Sequence, residues 1–248
     1  MIDTKRTLNK NIPVPLYYQL KEILLDVIQN AKEGDPFPTE IDLCEQFDIS
    51  RTTVRQAMNE LVSEGYLQRM KGKGTFVAEP KVKQDFFIAL TSFNEEMQRQ
   101  GLVPRTKVLE LKRVTADAKI AKALNVPAGI DVVKLVRLRS VNDKVVLLLM
   151  TFLPDDKFPG ILSMDFENKP LYQTVEEDFG YVIERATRRI EARKASKYEA
   201  QLLEIEEEEP ILFVETIAYL NDGTPFEYSF SRYRGDRSEF SLELSRRK

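Results

Sequence analysis

The sequence of 248 residues contains no histidine and only one cysteine, Cys44. Without histidine the chain cannot form Ser–His or Cys–His nucleophiles, and it lacks the commonest protein ligand of zinc. A single cysteine cannot close an internal disulfide. These absences exclude most hydrolytic and metal-dependent enzymes, and we expect no cofactor, no metal and no catalytic residues.

Long hydrophobic runs are also missing. The sequence has no stretch of about 18 apolar residues and no basic-then-apolar leader, so we expect a cytoplasmic chain without a membrane partner. With 42% hydrophobic and 31% charged residues, the composition is that of an ordinary globular protein. The net charge of −3 and the pI of about 5.4 argue against nucleic-acid binding, because phosphate binding normally requires a basic surface.

The first third of the chain has the pattern of three helices followed by a basic hairpin. Apolar residues recur at helical spacing from Leu16, and Thr39 precedes a second helix as a capping residue. Three residues of this second helix are predicted to face inward: Ile41, Cys44 and Phe47. Ser50 is a suitable N-cap for a third helix, which Gly65 ends, and two strands then flank the turn Lys71-Gly72-Lys73-Gly74. This order predicts a winged helix-turn-helix.

Basic charge is concentrated in this region. Residues 50–77 carry a net charge of +3 in a chain whose total is −3. In a helix-turn-helix, the first residues of the second motif helix enter the major groove while flanking cations hold phosphates. Arg51, Thr52, Thr53 and Arg55 occupy that helix start and are predicted to contact DNA, and Gly72 would let the wing backbone approach the minor groove. The alternative is a solvated polar face on a small helical domain.

The rest of the chain forms a second, larger domain. Residues 78–88 are polar and lack an apolar period, which predicts a linker between domains at 1–77 and 89–248. The larger domain contains an internal repeat, in which a shift of 79 residues superimposes similar residues: Ala121 on Ala200, Leu124 on Leu203, and Asn142-Asp143 on Asn221-Asp222. Each copy predicts a helix end, a strand, an Asn-Asp turn and another strand. We expect an α+β domain with a mainly antiparallel sheet.

One strand of this domain carries a candidate anion site. Arg137 and Arg139 lie two residues apart, so on an extended strand their side chains share a face. Two guanidinium groups on one face favour binding of an anion, and Ser92 is a predicted N-cap whose helix start offers free amides. Together they predict a phosphate or carboxylate site. The alternative is a surface strand whose arginines pair with neighbouring Asp or Glu residues.

Two groups of motifs carry a resemblance to a known family. In the first domain they are Ser50-Arg51-Thr52-Thr53-Val54-Arg55-Gln56-Ala57 and Lys71-Gly72-Lys73-Gly74-Thr75-Phe76-Val77. In the second they are Leu90-Thr91-Ser92-Phe93, Arg137-x-Arg139 and Tyr233-Arg234-Gly235-Asp236. Through them, essentially the whole chain resembles GntR-type transcription regulators of the HutC-type branch. The resemblance implies a winged helix-turn-helix followed by a UTRA effector domain with a chorismate-lyase-like fold.

The resemblance also implies which residues bind DNA and effector. By the resemblance, six residues fall where the family contacts operator DNA: Arg51, Thr52, Thr53, Arg55, Lys71 and Gly72. The implied effector-binding residues are Thr91, Ser92, Phe93, Arg137, Arg139, Glu227 and Tyr233. Three positions depart from the family pattern: Ile41 replaces an arginine of the second helix, Leu149 a carboxylate of sugar-phosphate sensors, and Pro170 a serine. Loss of the carboxylate suggests a less hydroxylated, or differently oriented, effector.

We predict a transcription repressor and not an enzyme. It is expected to form a homodimer through its C-terminal domain and to bind a pseudo-palindromic operator. A small anionic metabolite, a phosphorylated sugar or a related compound, is expected to control DNA binding. The alternatives are an activator that responds to a carboxylate or phosphonate, an architectural DNA binder, and a chorismate-lyase-like enzyme. The absence of a histidine base argues against the enzyme.

Overall fold

The chain folds into two compact units. The computed structural model describes residues 6–79, 81–83, 90 and 92–241. The first unit runs to Val82 and also includes Gly235–Arg237, whereas the second comprises Lys83–Arg234 and the chain from Ser238 onwards. The sequence had placed Gly235–Arg237 in the larger domain. Within the described residues, no helix has both the length and the apolar character that crossing a bilayer requires.

The first unit contains three helices and a small antiparallel sheet. The helices are α1 (Leu16–Gln29), α2 (Glu40–Phe47) and α3 (Arg51–Ser63). The strands are β1 (Pro36–Phe37), β2 (Leu67–Met70) and β3 (Gly74–Val77), in the order β1-β3-β2. The predicted winged helix-turn-helix is confirmed, and β1 adds a short third strand beside the wing hairpin.

Side-chain caps fix the starts of α2 and α3. The Thr39 hydroxyl accepts a hydrogen bond from the Asp42 amide at 3.2 Å, and the Asp42 carboxylate accepts one from the Thr39 amide at 2.9 Å. The Ser50 hydroxyl accepts one from the Thr53 amide at 3.3 Å. Each bond satisfies an amide that the first turn of a helix leaves without a backbone partner. Both predicted caps are confirmed.

One inward-facing residue of α2 was predicted wrongly. Ile41 is 59% exposed, whereas Leu43 is fully buried against the core of the unit. The two residues are about 200° apart around a helix, so they cannot share a face. Cys44 and Phe47 are partly buried and pack against that core, as expected.

The segment Gly235–Arg237 is held in the first unit by hydrogen bonds and by a close approach. The Lys81 ammonium donates to the Gly235 carbonyl at 2.9 Å, and the Val82 amide donates to the Arg237 carbonyl at 2.8 Å. The Asp236 carbonyl lies so close to Gly65 that a Cβ at this glycine would collide with it. The unit is therefore built from two separate stretches of sequence.

The second unit is built on a six-stranded antiparallel sheet. Its strands are β5 (Pro104–Thr115), β6 (Asp131–Val141), β7 (Lys144–Pro154), β8 (Ile183–Lys194), β9 (Pro210–Leu220) and β10 (Pro225–Arg234), in the order β5-β6-β7-β10-β9-β8. Its helices are α4 (Phe93–Arg99), α5 (Ala118–Leu124), α6 (Leu171–Glu177) and α7 (Lys197–Leu203). Two 3-10 turns, Asp155–Lys157 and Ile161–Ser163, follow β7. Two further short strands are β4 (Val82–Lys83), at the boundary of the two units in the sequence, and β11 (Ser238–Glu239). The predicted α+β fold is confirmed.

The internal repeat covers more of the chain than the sequence indicated. The order α4-β5-α5-β6-β7 recurs as α6-β8-α7-β9-β10. The same shift of 79 residues maps β5 onto β8, α5 onto α7 and β6 onto β9 from first residue to last. The last strands of the copies, β7 and β10, pair at the centre, so the sheet is arranged symmetrically about them.

The two faces of the sheet carry different helices. On one face, Leu124 of α5 packs with Tyr228, and Leu203 of α7 packs with Leu148. On the other, Leu171 of α6 packs in a separate apolar cluster that includes side chains from β6 and β9. The site described next lies on the α6 face.

Candidate effector cavity and DNA-binding edge

A cavity of about 100 Å³ lies between the α6 face of the sheet and the starts of α4 and α6. Six of the seven predicted effector-binding residues line it: Ser92, Phe93, Arg137, Arg139, Glu227 and Tyr233. The seventh, Thr91, lies outside the described residues. Ser92 caps α4 as predicted, since its hydroxyl accepts a hydrogen bond from the Glu95 amide at 3.2 Å. The structure therefore brings together residues that are far apart in the sequence.

Arg137 is a buried cation with unused hydrogen-bond donors. Only 1% of its surface is exposed, and its Nη2 donates to the Thr151 hydroxyl at 3.4 Å. Nε and Nη1 are buried and meet no acceptor in the described part of the chain. Burial, with the nearby charge of Arg139 as a second cause, lowers the pKa of Arg137 to about 9. The guanidinium is charged at neutral pH, so the cavity contains a positive charge that lacks a full set of partners.

Arg139 lies beside it on the same face of β6. Its guanidinium carbon is 4.9 Å from the centroid of the Phe93 ring, a cation–π distance. Its Nε is buried with no acceptor among the described residues. Burial is the main cause that lowers the pKa of Arg139. The alternative of a surface strand, with its arginines paired to Asp or Glu residues, is therefore wrong. The two guanidinium groups line the cavity instead.

The cavity also has an acidic and phenolic lining. Glu227 is 4% exposed, and its Oε2 is buried without a hydrogen-bond partner in the described residues. Burial, with the nearby charge of Glu227 as a second cause, raises the pKa of Tyr172 well above its usual range. Burial likewise raises the pKa of Tyr233 to about 12. Both phenols therefore remain protonated at neutral pH and can donate hydrogen bonds.

Several lining residues were not predicted from the sequence. They are Glu96, Tyr172, Arg188, Thr216, Ser229 and Ser231. Two signals could have found three of them. Residues two apart on a strand share a face, so Glu227 and Tyr233 imply Ser229 and Ser231 between them. The 79-residue repeat maps Arg137 onto Thr216. Nothing in the sequence separates Arg188 from the other arginines of β8.

The predicted DNA-binding residues lie at the start of α3 and at the tip of the wing. Arg51, Thr52 and Arg55 are exposed and Thr53 is half-buried. Lys71 is exposed, and Gly72 adopts a φ of +74°, which the tight turn of the wing requires. That these six residues contact DNA stays a prediction.

Glu40 links the helix start to the wing. Its carboxylate lies 3.4 Å from Nε of Arg51 and 3.5 Å from Nη2 of Arg69 on β2. Both arginines remain substantially exposed, so these contacts can be exchanged for contacts to phosphates. Arg69 was counted in the local charge but not among the predicted contacts.

Comparison with family models assigns both parts of the chain. Residues 16–77 match the model described as bacterial regulatory proteins, gntR family. Residues 99–239 match the UTRA domain.

Comparison with individual proteins gives matches over nearly the whole length. The chain is 36% identical to the HTH-type transcriptional repressor NagR of Bacillus subtilis, over 96% of this chain and 98% of that protein. It is 33% identical to the mannosyl-D-glycerate transport/metabolism system repressor MngR of Escherichia coli, over 94% and 97% respectively. The crystal structure of PhnF from Mycobacterium smegmatis matches with a TM-score of 0.67 at 30% identity, covering 92% of this chain and 99% of that one.

Proposed function

The chain belongs to the gntR family of bacterial regulatory proteins and carries a UTRA domain, and from this premise we propose that it is a repressor controlled by a small anionic metabolite. Regulators of this family bind operator DNA and take a small effector through the UTRA domain. The relatives are transcriptional repressors, so the chain is a regulator and not an enzyme.

The burial of Arg137 with unused hydrogen-bond donors is the observation that supports an anionic effector. A buried guanidinium with free donors is costly to keep unless a ligand completes its partners. A phosphate or carboxylate matches two adjacent guanidinium groups in charge and in hydrogen-bond geometry. The proposed effector is a phosphorylated sugar or a related compound, bound by Arg137 and Arg139 and contacted by Ser92, Phe93, Glu227 and Tyr233. Thr91 belongs to the same proposal through its place in the sequence beside Ser92.

The proposed operator contacts lie at the start of α3 and at the wing. Arg55 and Arg51 are placed to reach base edges or phosphates from the major groove, with Thr52 and Thr53 beside them. We propose that Lys71 and Gly72 at the wing tip approach the minor groove. Each chain carries one such edge, so reading a pseudo-palindromic operator requires two chains. A homodimer formed through the C-terminal domain supplies them.

The test separates effector binding from operator binding. In a double variant Arg137→Gln, Arg139→Gln we expect operator affinity to be retained and the response to the effector to be lost. Arg189→Gln is the matched control, because Arg189 lies on β8 and its side chain is 71% exposed. A thermal-shift screen of phosphorylated sugars, phosphonates and organic acids selects the effector, since a ligand of the folded state raises apparent stability.

Two results would contradict the proposal. One is loss of operator affinity in the double variant when circular dichroism shows that it is folded. The other is an undiminished response of the double variant to a compound that acts on the wild type. Light scattering tests whether the protein is a dimer. A protein that is monomeric when bound to a full operator would contradict the proposed homodimer.

A further inference from the structure

The α6 face of the sheet forms the floor of the cavity. Each of the strands β6, β7 and β10 contributes one strip of side chains to this floor. Leu149 of β7 pairs with Arg137 of β6 on one side and with Ser231 of β10 on the other. Leu147 pairs in the same way with Arg139 and Tyr233. Two leucines therefore separate the guanidinium groups from the hydroxyls of β10.

The leucine strip has no hydrogen bond to offer. Leu147 and Leu149 are 2% and 8% exposed, and their side chains carry no polar atom. The backbone of β7 is engaged on both sides by the ladders to β6 and β10. A ligand hydroxyl placed over this strip would give up its water and gain no partner from the strand, which costs binding free energy.

The wall opposite the floor is also partly apolar. Phe93 at the start of α4, with Pro170 and Leu171 at the start of α6, lines the cavity. These groups and the leucine strip suit a hydrocarbon part of a ligand, which would bury apolar surface against them.

The strand beyond the leucines offers acceptors and hydroxyls again. Ser229, Ser231 and Tyr233 lie along β10, and Glu227 contributes a buried Oε2 without a partner in the described residues. Adjacent strands are roughly 4.8 Å apart, so β6 and β10 lie roughly 10 Å apart across the leucine strip. A hydrogen-bonding group at that distance from the anion reaches the hydroxyls of Ser231 and Tyr233, which lie across from Arg137 and Arg139.

Resting on the proposed function, we infer that the effector is an elongated anion with a hydroxyl-free middle. Its anionic group lies at Arg137 and Arg139, its middle lies over Leu147 and Leu149, and a hydroxyl or ammonium group at its other end meets the hydroxyls of Ser231 and Tyr233. Leu149 is thus the residue that selects against a fully hydroxylated chain.

Two probes with the same carbon skeleton test this inference on the full-length protein. 6-Hydroxyhexyl phosphate has a hydroxyl only at the end remote from the phosphate. Glucitol 6-phosphate has a hydroxyl on each carbon that does not carry the phosphate. We expect the wild type to bind 6-hydroxyhexyl phosphate at least about tenfold more tightly by calorimetry, because buried hydroxyls without partners weaken binding. Inorganic phosphate serves as the probe for the anion site alone.

Leu149→Asn provides the second measurement. It places a polar group of similar size in the strip, so we expect the ratio of the two dissociation constants to fall by about tenfold. Leu109→Asn makes the same change on β5, where Leu109 is 36% exposed, and should leave the ratio unchanged. The ratio is insensitive to a general loss of stability, because both probes bind the same folded state.

The outcomes distinguish this inference from the proposed function. If the wild type binds glucitol 6-phosphate as tightly as, or more tightly than, 6-hydroxyhexyl phosphate, the hydroxyl-free middle is wrong while the anion site stands. An unchanged ratio in Leu149→Asn would remove Leu149 as its cause. If inorganic phosphate and both probes fail to bind, the anion site is wrong and the inference fails with it.

Discussion

At the scale of single residues, Arg137 is where stability and ligand binding oppose each other. Its guanidinium is buried, charged at neutral pH and only partly hydrogen bonded. Folding takes this charge out of water without supplying all its partners, a cost that a ligand can offset.

Replacing Arg137 should therefore stabilise the ligand-free protein. We expect Arg137→Met to raise the free energy of unfolding at pH 7 by about 1–3 kcal/mol in urea denaturation. Folding lowers the pKa of Arg137 to about 9, so above pH 9 the folded wild type binds fewer protons than the unfolded chain. Wild-type stability then rises with pH relative to the variant, and the advantage of Arg137→Met shrinks. Arg189→Met is the exposed control, expected to change stability by no more than about 0.5 kcal/mol. A less stable Arg137→Met protein at pH 7 would contradict this account.

Two glycines with the same backbone angle allow a second residue-scale prediction. Gly65 and Gly34 both have a φ of +79°, but a Cβ would strike the Asp236 carbonyl at Gly65 and meet nothing within 4 Å at Gly34. Gly34→Ala should cost about 1 kcal/mol from the backbone conformation alone. Gly65→Ala should cost at least about 2 kcal/mol more, because backbone must move. Equal losses in denaturation would show that the close approach does not constrain this position.

At the scale of elements, the caps could be predicted from the sequence because they are local, and the repeat because its elements recur at a fixed spacing. Thr39 and Ser50 act on amides within three residues, and the repeat reflects an equal spacing of elements. Other features depend on contacts that no local pattern contains. The end of α1 at Gln29 has no glycine beside it, since the next glycine, Gly34, lies five residues further on. Strand β1 exists because it pairs with β3.

The cavity too was predictable where it depends on local spacing and unpredictable where it depends on long-range contacts. The spacing of Arg137 and Arg139 fixes their common face, but their burial depends on α4 and α6 covering the sheet. Arg188 joins the cavity only because β8 lies beside β9 in the sheet order. That order is a long-range property, and the alternating charges of β8 carry no sign of it.

The cap of α3 gives a prediction for this element. Asp caps a helix as well as Ser does, so Ser50→Asp should change the free energy of unfolding by no more than about 0.5 kcal/mol. If the start of α3 approaches DNA phosphates, the new carboxylate should reduce operator affinity at least about tenfold at low salt. Ser196→Asp makes the same change at the N-cap of α7 and should leave operator affinity unchanged. Equal operator affinities of Ser50→Asp and wild type in fluorescence anisotropy would place α3 away from the DNA backbone.

At the scale of the whole molecule, the average charge conceals a division between regions. The total of −3 coexists with +3 over residues 50–77, so the acidity lies elsewhere in the chain. A protein that is acidic overall has a weaker attraction for DNA of arbitrary sequence and depends on a few placed cations. The pI is thus a poor guide to function when charge is unevenly distributed.

The first unit includes Gly235–Arg237, and this leads to a prediction about a fragment that lacks these three residues. A fragment of residues 1–83 lacks Gly235–Arg237, which the full chain places against Gly65 and hydrogen bonds to Val82. We expect the amides of α3 to exchange with solvent at least about tenfold faster in the fragment than in the full chain. Exchange at the same rate in both would mean that the three residues add nothing to the stability of this unit.

The two-part construction of this unit also bears on how the protein is made. Synthesis proceeds from the N-terminus, so the three helices and the wing emerge from the ribosome long before residue 237 does. Until then the recognition helix lacks the backbone segment that closes over its end at Gly65. The DNA-reading part, although encoded first, is therefore among the last parts of the nascent chain to be completed, after nearly all of the sensor has been translated.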